Sequence, residues 1–210
     1  MSWLAKMLIE PGLATQRRLQ LTDGYALHQV AWQTFPGLDD QPRDFLSRLD
    51  SAPDGFTLLL LSKTHRPQRP EWCPEECWEV KAITPTFLQR RYFRFDLRAN
   101  PTRNVAKLDA NGHPTKNGQR KPITRLDEQT AWLQRKASDS GFTIVEAPEI
   151  GFCQDQVFRK RSGHGVHTGV RFRGVLEVTD PPRFEAAFYK GIGSAKGFGF
   201  GMLLLQPIQR

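Results

Sequence analysis

The sequence predicts an α+β fold of two tandem ferredoxin-like (RRM-like) halves, each of β-α-β-β-α-β type. Three observations carry the prediction. Strand-like and helix-like segments recur in similar order along both halves of the chain, as layered α+β folds require. The helical segments place apolar residues at helical spacing, whereas Tyr92 to Arg98 alternates strictly. A chain of 210 residues, 39% hydrophobic and 25% charged, can bury a sizeable core and is too apolar to be disordered. The expected boundary lies at Leu88 to Arg91, giving halves 1–90 and 91–210 that share element order and not sequence.

In chain order, Ala5 to Glu10 reads as a first strand closed by Pro11 and Gly12. Thr22 to Phe35 reads as an amphipathic helix, with Leu27, Val30, Ala31, Thr34 and Phe35 as the inward stripe. Thr22 or Asp23 supplies its N-cap. Phe45 to Ser51 and Phe56 to Lys63 flank Pro53-Asp54-Gly55, the pattern of a hairpin. The three prolines of His65 to Pro74 predict an irregular loop, and Trp78 to Ile83 a strand ended by Pro85.

The second half opens with Tyr92 to Arg98, which sends Phe93, Phe95 and Leu97 to one face and Arg94, Asp96 and Arg98 to the other. Leu108 to Pro122 is expected to be a loop. Thr124 to Ser138 is expected to be a helix, with Thr124 and Asp127 as a capping box and Leu126, Leu133 and Ala137 inward. Phe142 to Ala147 is a further strand. Phe158 to Val178 reads as a hairpin turning at Ser162-Gly163-His164-Gly165, its returning strand holding Val170, Phe172, Leu176 and Val178 on one side and Arg171 and Arg173 on the other. Pro181 to Tyr189 is a helix with proline at its start, and Phe198 to Leu205 a final apolar strand.

Lys and Arg outnumber Asp and Glu by 30 to 22, a net charge of +8 that favours a polyanionic partner such as nucleic acid. No apolar run reaches the roughly 18 residues of a membrane span, and the first ten residues lack the form of a signal peptide. Three cysteines, Cys73, Cys77 and Cys153, make no disulfide framework, which is consistent with a reducing cytoplasm. Cys73 and Cys77 with His164 and His167 can be drawn as a zinc site, but Pro74 follows Cys73 and neither pair sits in a finger pattern.

Two stretches carry chemistry. On the polar face of the first long helix Tyr25 sits three residues from His28, and His28 four from Trp32, near a helix N-terminus suited to a phosphate. An ordinary surface helix has the same spacing. From Gly191 to Gly201 the chain is rich in glycine, which lets backbone approach a ligand closely. Lys196-Gly197-Phe198-Gly199-Phe200 matches the opening of an RNA-recognition signature, after which Gly201 and Leu203 break the match.

These windows together resemble the CasE family, the CRISPR RNA-processing endoribonucleases of type I-E Cascade complexes. The matching runs are Tyr25-x-Leu27-His28-x-x-x-Trp32-x-x-Phe35-Pro36; Phe93-Arg94 followed by Arg98-Ala99-Asn100-Pro101; Glu128-Gln129-x-Ala131-Trp132-Leu133-Gln134-Arg135-Lys136; Phe172-x-Gly174-x-Leu176; and Gly191-Ile192-Gly193-x-Ala195-Lys196-x-x-Gly199-x-Gly201. They occur in family order and span nearly the whole chain. Met202, where the family usually has Leu, and the loop of His65 to Cys77 depart from the pattern.

The resemblance implies one cut at the 3′ base of a CRISPR repeat stem-loop, without metal or cofactor, by an enzyme that stays with other Cascade subunits. It places the catalytic histidine on His28 and an assisting tyrosine on Tyr25. Such chemistry uses the RNA's own 2′-OH as nucleophile, with His28 as general acid or base. Tyr25 would donate a hydrogen bond, and Lys196 would stabilise the growing charge. RNA contacts are expected from Arg98, Arg103, Lys116, Arg120 and Lys121, and from Arg159, Lys160, Arg161, Arg171 and Arg173 on the hairpin. Gly193, Ser194 and Lys196 would close on the scissile phosphate. Two other classes compete: a non-catalytic RRM-like RNA-binding subunit, which the Tyr25 and His28 pairing disfavours, and a protein-binding adaptor, which the charge disfavours.

Overall fold

The computed structural model describes residues 1–17, 19, 21, 23–38, 41–106, 109, 113, 118–160 and 163–209, excluding the side chains of 16, 154, 156–160 and 164. The first half contains β1 (Ser2–Ile9), α1 (Pro11–Gln16), α2 (Gly24–Trp32), β2 (Phe45–Ala52), β3 (Gly55–Ser62) and β4 (Trp78–Ile83). Its four strands lie antiparallel in the order β2-β3-β1-β4, the order a β-α-β-β-α-β unit produces.

Strand parity sorts this sheet into two faces. Ala5, Met7, Ile9, Phe45, Leu49, Leu58 and Leu60 face α2 and form one core with Leu27, Val30, Ala31 and Phe35. Leu46 and Leu61 point the other way, into the core of the second half. Coverage on both faces explains the unbroken Leu58 to Leu61 run, which a half-exposed strand would interrupt with polar residues. The loop of His65 to Cys77 takes the place of the unit's second helix. Cys73 is buried there, with Trp72 and Cys77 packed against the α2-side core, and Gln68 N–H donates to Thr34 O at 2.8 Å. Burial, with Cys77 beside it, pushes the Cys73 thiol up to about 11.

The second half contains β5 (Tyr92–Ala99), β6 (Thr102–Val105), β7 (Gln119–Pro122), α3 (Leu126–Asp139), β8 (Phe142–Ile144), β9 (Glu149–Lys160), β10 (Gly163–Val178), α4 (Pro181–Lys190) and β11 (Leu203–Pro207). The sheet order is β11-β5-β10-β8, with β9 pairing further along β10. The β5 register on β10 ends at Ala99 opposite Val170. From Gly163 to Gly169, β10 therefore pairs with β9 alone, as a two-stranded arm bulged between His167 and Gly169. Both halves thus have ferredoxin-like strand order, with the first half's second helix replaced by a loop.

Several expected elements differ. Beyond closing β1, Pro11 opens the short α1 at its first turn, a helix the sequence does not predict. The expected Leu108 to Pro122 loop is strand at its end, since Gln119–Pro122 pairs with Thr102–Val105. The capping box fails: Arg125 is the N-cap, no side chain caps the helix, and Asp127 bonds Arg125 instead. Leu126, expected inward, is 63% exposed, because the helix begins two residues later than expected and Leu126 lies in its first turn. Phe198 to Gly201 is not strand. Lys196–Phe198 form a 3₁₀ turn and Gly199 and Gly201 have φ of 84° and 90°, so the apparent RNA-recognition run lies on a turn. Thr22 and Ser162 lie outside the described residues.

Candidate active site and nucleic-acid interface

Asp23 fixes the start of α2. Its Oδ1 accepts from Tyr25 N–H at 2.8 Å and Ala26 N–H at 3.0 Å, satisfying two donors the helix leaves open. The first turn is thereby set and Tyr25, 61% exposed, is presented outward. One turn on, His28 Nε2 accepts a hydrogen bond from Trp32 Nε1–H at 2.9 Å, the rings edge-on with centroids 6.0 Å apart. An Nε2 that accepts carries the lone pair, so the neutral ring holds its proton on Nδ1. That Nδ1 is buried without a hydrogen-bond partner. Burial first, then the Arg43 charge, push the His28 pKa below its ordinary value. The ring is therefore neutral at neutral pH.

Tyr25, His28 and Trp32 line one side of a groove of about 790 Å³, and Pro70, Glu71 and Trp72 line the other. Trp72 Nε1–H donates to Gln33 Oε1 at 2.7 Å, tying the loop wall to the end of α2. Arg43 stacks over Phe45 at 5.6 Å and donates from Nη1 to Lys196 O at 3.4 Å. It joins the helix neighbourhood to the glycine-rich segment. Neither Arg43 nor Trp72 stands out in the sequence, since a lone arginine after a proline and a tryptophan in a proline-rich loop carry no local signature.

The glycine-rich segment is wedged between α2 and the arm. A Cβ on Gly24 would lie 2.6 Å from Phe198 Cδ1, and the Phe198 ring lies 4.7 Å from that of His167 on β10. Gly201 N–H donates to Arg98 O at 2.7 Å and Ile192 N–H to Gly201 O at 2.8 Å. A Cβ on Gly201 would stand 2.8 Å from Ile192 O, so both φ and space demand glycine there. Ser194 Oγ donates to Asn100 O at 3.2 Å. Lys196 is half-buried, and burial, then the charges of Lys190, Arg43 and Lys136, depress its pKa.

The expected RNA contacts divide. Arg98, expected on the outer face, is 6% exposed. It donates to Leu49 O, pairs with Asp50 at 3.3 Å and lies 5.8 Å over Phe200, which makes it a tie between the halves. Arg171 and Arg173, expected to contact RNA, share Asp96 at 3.0 and 3.2 Å. Arg103 pairs with Glu128 at 2.9 Å. Arg120 and Lys121 are exposed on β7. Arg159 and Lys160 lie on β9 with their side chains undescribed, and Lys116 and Arg161 lie outside the described residues. Among the described residues no three His, Cys, Asp or Glu side chains converge as a metal site would need, and no helix is long and apolar enough to cross a membrane.

A sequence model of the family described as CRISPR associated protein matches residues 2–207. The CRISPR-associated endoribonuclease Cse3 of Thermus thermophilus is 28% identical over 222 residues, covering 98% of this chain and all of that protein. The CRISPR system Cascade subunit CasE of Escherichia coli is 32% identical over 202 residues, 89% of this chain and 93% of that one. A solved structure of Cse3 bound to a 19-nucleotide RNA superposes with a TM-score of 0.78 at 27% identity, covering 98% of this chain and all of that one.

Proposed function

The chain belongs to the CasE family of CRISPR-associated proteins, and on that premise we propose that it is an endoribonuclease that cuts CRISPR repeat RNA at the 3′ base of its stem-loop. The observation that carries the reading is the imidazole of His28, its Nε2 accepting from Trp32 N–H, set with the exposed Tyr25 in a groove between α2 and the Pro70 to Trp72 loop.

A neutral ring is a base. His28 accepts the proton of the 2′-OH through Nε2, where the hydroxyl takes the place of the Trp32 N–H. The 2′-oxygen attacks phosphorus, the 5′-oxygen departs as a hydroxyl after taking a proton from water, and a 2′,3′-cyclic phosphate remains on the upstream fragment. Tyr25 donates a hydrogen bond to the phosphate. Arg43 and Lys196, on either side of one hydrogen bond, stabilise the charge that builds on it. No step calls on a metal.

In this reading residues 1–90 supply the proton transfer, and 91–210 supply the grip together with Lys196. The β9–β10 hairpin, with Arg159 and Lys160 on β9 and Arg171 and Arg173 where β10 joins the sheet, holds the stem, aided by Arg103, Lys116, Arg120, Lys121 and Arg161. The backbone at Gly193 and Ser194 lies along the strand. The protein works in the cytoplasm, a reading that three unpaired cysteines support. It keeps its product by remaining a Cascade subunit, and the Escherichia coli relative is named a Cascade subunit.

The test is a repeat RNA with one 2′-deoxy substitution just 5′ of the scissile phosphate. It should bind nearly as tightly, because phosphates and stem shape dominate affinity, and remain uncut. Unmodified RNA should give a cyclic phosphate and a free 5′-OH. Cutting of the deoxy RNA at a comparable rate would mean that water, not the RNA, is the nucleophile.

A further inference from the structure

Facing sides of α3 and α4 form a second groove, of about 570 Å³, away from the His28 groove. From α3 come Trp132, Arg135, Lys136 and Asp139, and from α4 come Arg183, Ala186, Ala187 and Lys190. Each set follows i, i+3, i+4, i+7 spacing, so each is one stripe of its helix. The two alanines leave the floor low, where larger residues would close the gap between neighbouring helices. Arg120 of β7 adds to one wall, and Gly193, Ser194 and Lys196 form one end.

The charge is one-sided. Six cations line this groove against one carboxylate, Asp139, which is bound to Lys136 at 3.5 Å. Among the described residues Arg120, Arg135 and Lys190 have no carboxylate within ion-pair distance, although Arg183 has Asp180 at 3.9 Å. A solvated face would intersperse both signs. Here like charges are gathered around a concavity, which costs energy unless a polyanion fills it.

Lys196 closes the inner end of this groove, and its carbonyl accepts from Arg43, whose charge acts on His28. A phosphate chain held at His28 therefore has a cationic track leading from it. The track follows one stripe of α3 and one of α4, with Ala186 and Ala187 on its floor, a line of cations that suits the phosphates of a single strand.

We infer that the groove between α3 and α4 is a subsite for the phosphates of single-stranded RNA flanking the base of the stem-loop. The inference rests on the endoribonuclease reading. Its chemistry is shared by the 5′ and the 3′ flank, which the experiment separates.

Binding of the wild-type protein would be measured to three RNAs carrying the 2′-deoxy block: the bare stem-loop, the stem-loop with a short 5′ single strand, and the stem-loop with a short 3′ single strand. One flank should tighten binding about tenfold, as a few phosphate contacts do. The flank that does so is the occupant. In the Arg135→Ala/Lys190→Ala protein, altered at two exposed positions, that gain should vanish. The extra salt dependence conferred by the flank should fall by about one unit of log K against log salt. The inference is overturned if neither flank tightens wild-type binding, if the double variant keeps the gain, or if the variant weakens the bare stem-loop as much as the flanked one, which would assign the groove to the stem. Failure of the wild-type protein to cut the unmodified stem-loop would overturn the endoribonuclease reading instead.

Discussion

At His28, burial and the Arg43 charge act in the same direction, and both favour the unprotonated ring. The folded-state pKa therefore lies below the ordinary 6.5. As pH falls below that value the unfolded chain takes up the proton first, so this group's contribution to stability declines there. The same depression predicts an acid limb of kcat/KM, which reports the free enzyme, with its midpoint below 6.5. A rate that rises as pH falls through that range would make His28 an acid. Trp32 adds a further constraint, because its N–H can donate to Nε2 only when the ring is neutral. Trp32→Phe keeps the ring that packs edge-on against Phe45 and deletes the donor. The acid limb should move to higher pH, and ring ¹⁵N shifts should show the Nδ1–H tautomer giving way to a mixture. Unchanged ¹⁵N shifts would show that the indole does not set the tautomer.

At the scale of elements, α2 presents its side chains correctly only if its first turn is held from both ends. Asp23 holds it from below through two backbone N–H groups, and Phe198 bears on it from the glycine-rich segment. Gly24→Ala separates these influences. Alanine favours helix over glycine by about 1 kcal/mol, so the isolated helix gains, yet the new Cβ would meet Phe198 Cδ1 at 2.6 Å. The segment must shift and carry Lys196 with it. Cleavage should fall about tenfold or more, since small misplacements near reacting atoms are costly, and Phe198→Leu in the same protein should restore part of it. A Gly24→Ala protein that cuts normally would show that this packing does not position the site.

Across the whole molecule the halves are joined by charge as well as by Leu46 and Leu61. The Arg48 side chain on β2, 0% exposed, lies 2.9 Å from both Asp50 and Asp96 on β5 and donates to Asp96 O at 3.2 Å. Burial alone would push the Asp96 carboxyl up. The hydrogen bond from Arg171 and the charges of Arg48 and Arg171 outweigh it and hold it below its ordinary value. Removing one partner from such a cluster leaves a charge unpaired, which typically costs about 3–5 kcal/mol. Arg48→Ala should lower the denaturant midpoint by a corresponding amount. Arg48→Met, which keeps volume, should lower it less. Equal midpoints for Arg48→Ala and the wild type would mean that the cluster does not hold the halves together.

The sequence by itself determined the elements whose signals are short-range. The β2–β3 hairpin, the β4 and β5 strands, α2 with its Asp23 cap and α4 with Pro181 at its start all follow from periodicity, capping and turn residues within a few positions. The ordered family motifs likewise pointed to His28 and Tyr25 without any knowledge of their surroundings. Only the tertiary structure decided what those residues meet. Arg43 lies 15 positions from His28, and the Pro70 to Trp72 wall more than 40, so no local pattern announces either. Alternation put Arg98 on the outer face of its strand, but that face is covered by the first half, where Leu49 O and Asp50 take its guanidinium. The end of the glycine-rich run reads as strand because Phe198 to Leu205 is so apolar. It is a turn because φ at Gly199 and Gly201 is positive and because Gly201 is pinned between Arg98 and Ile192, the first of these a contact made across about 100 residues of chain.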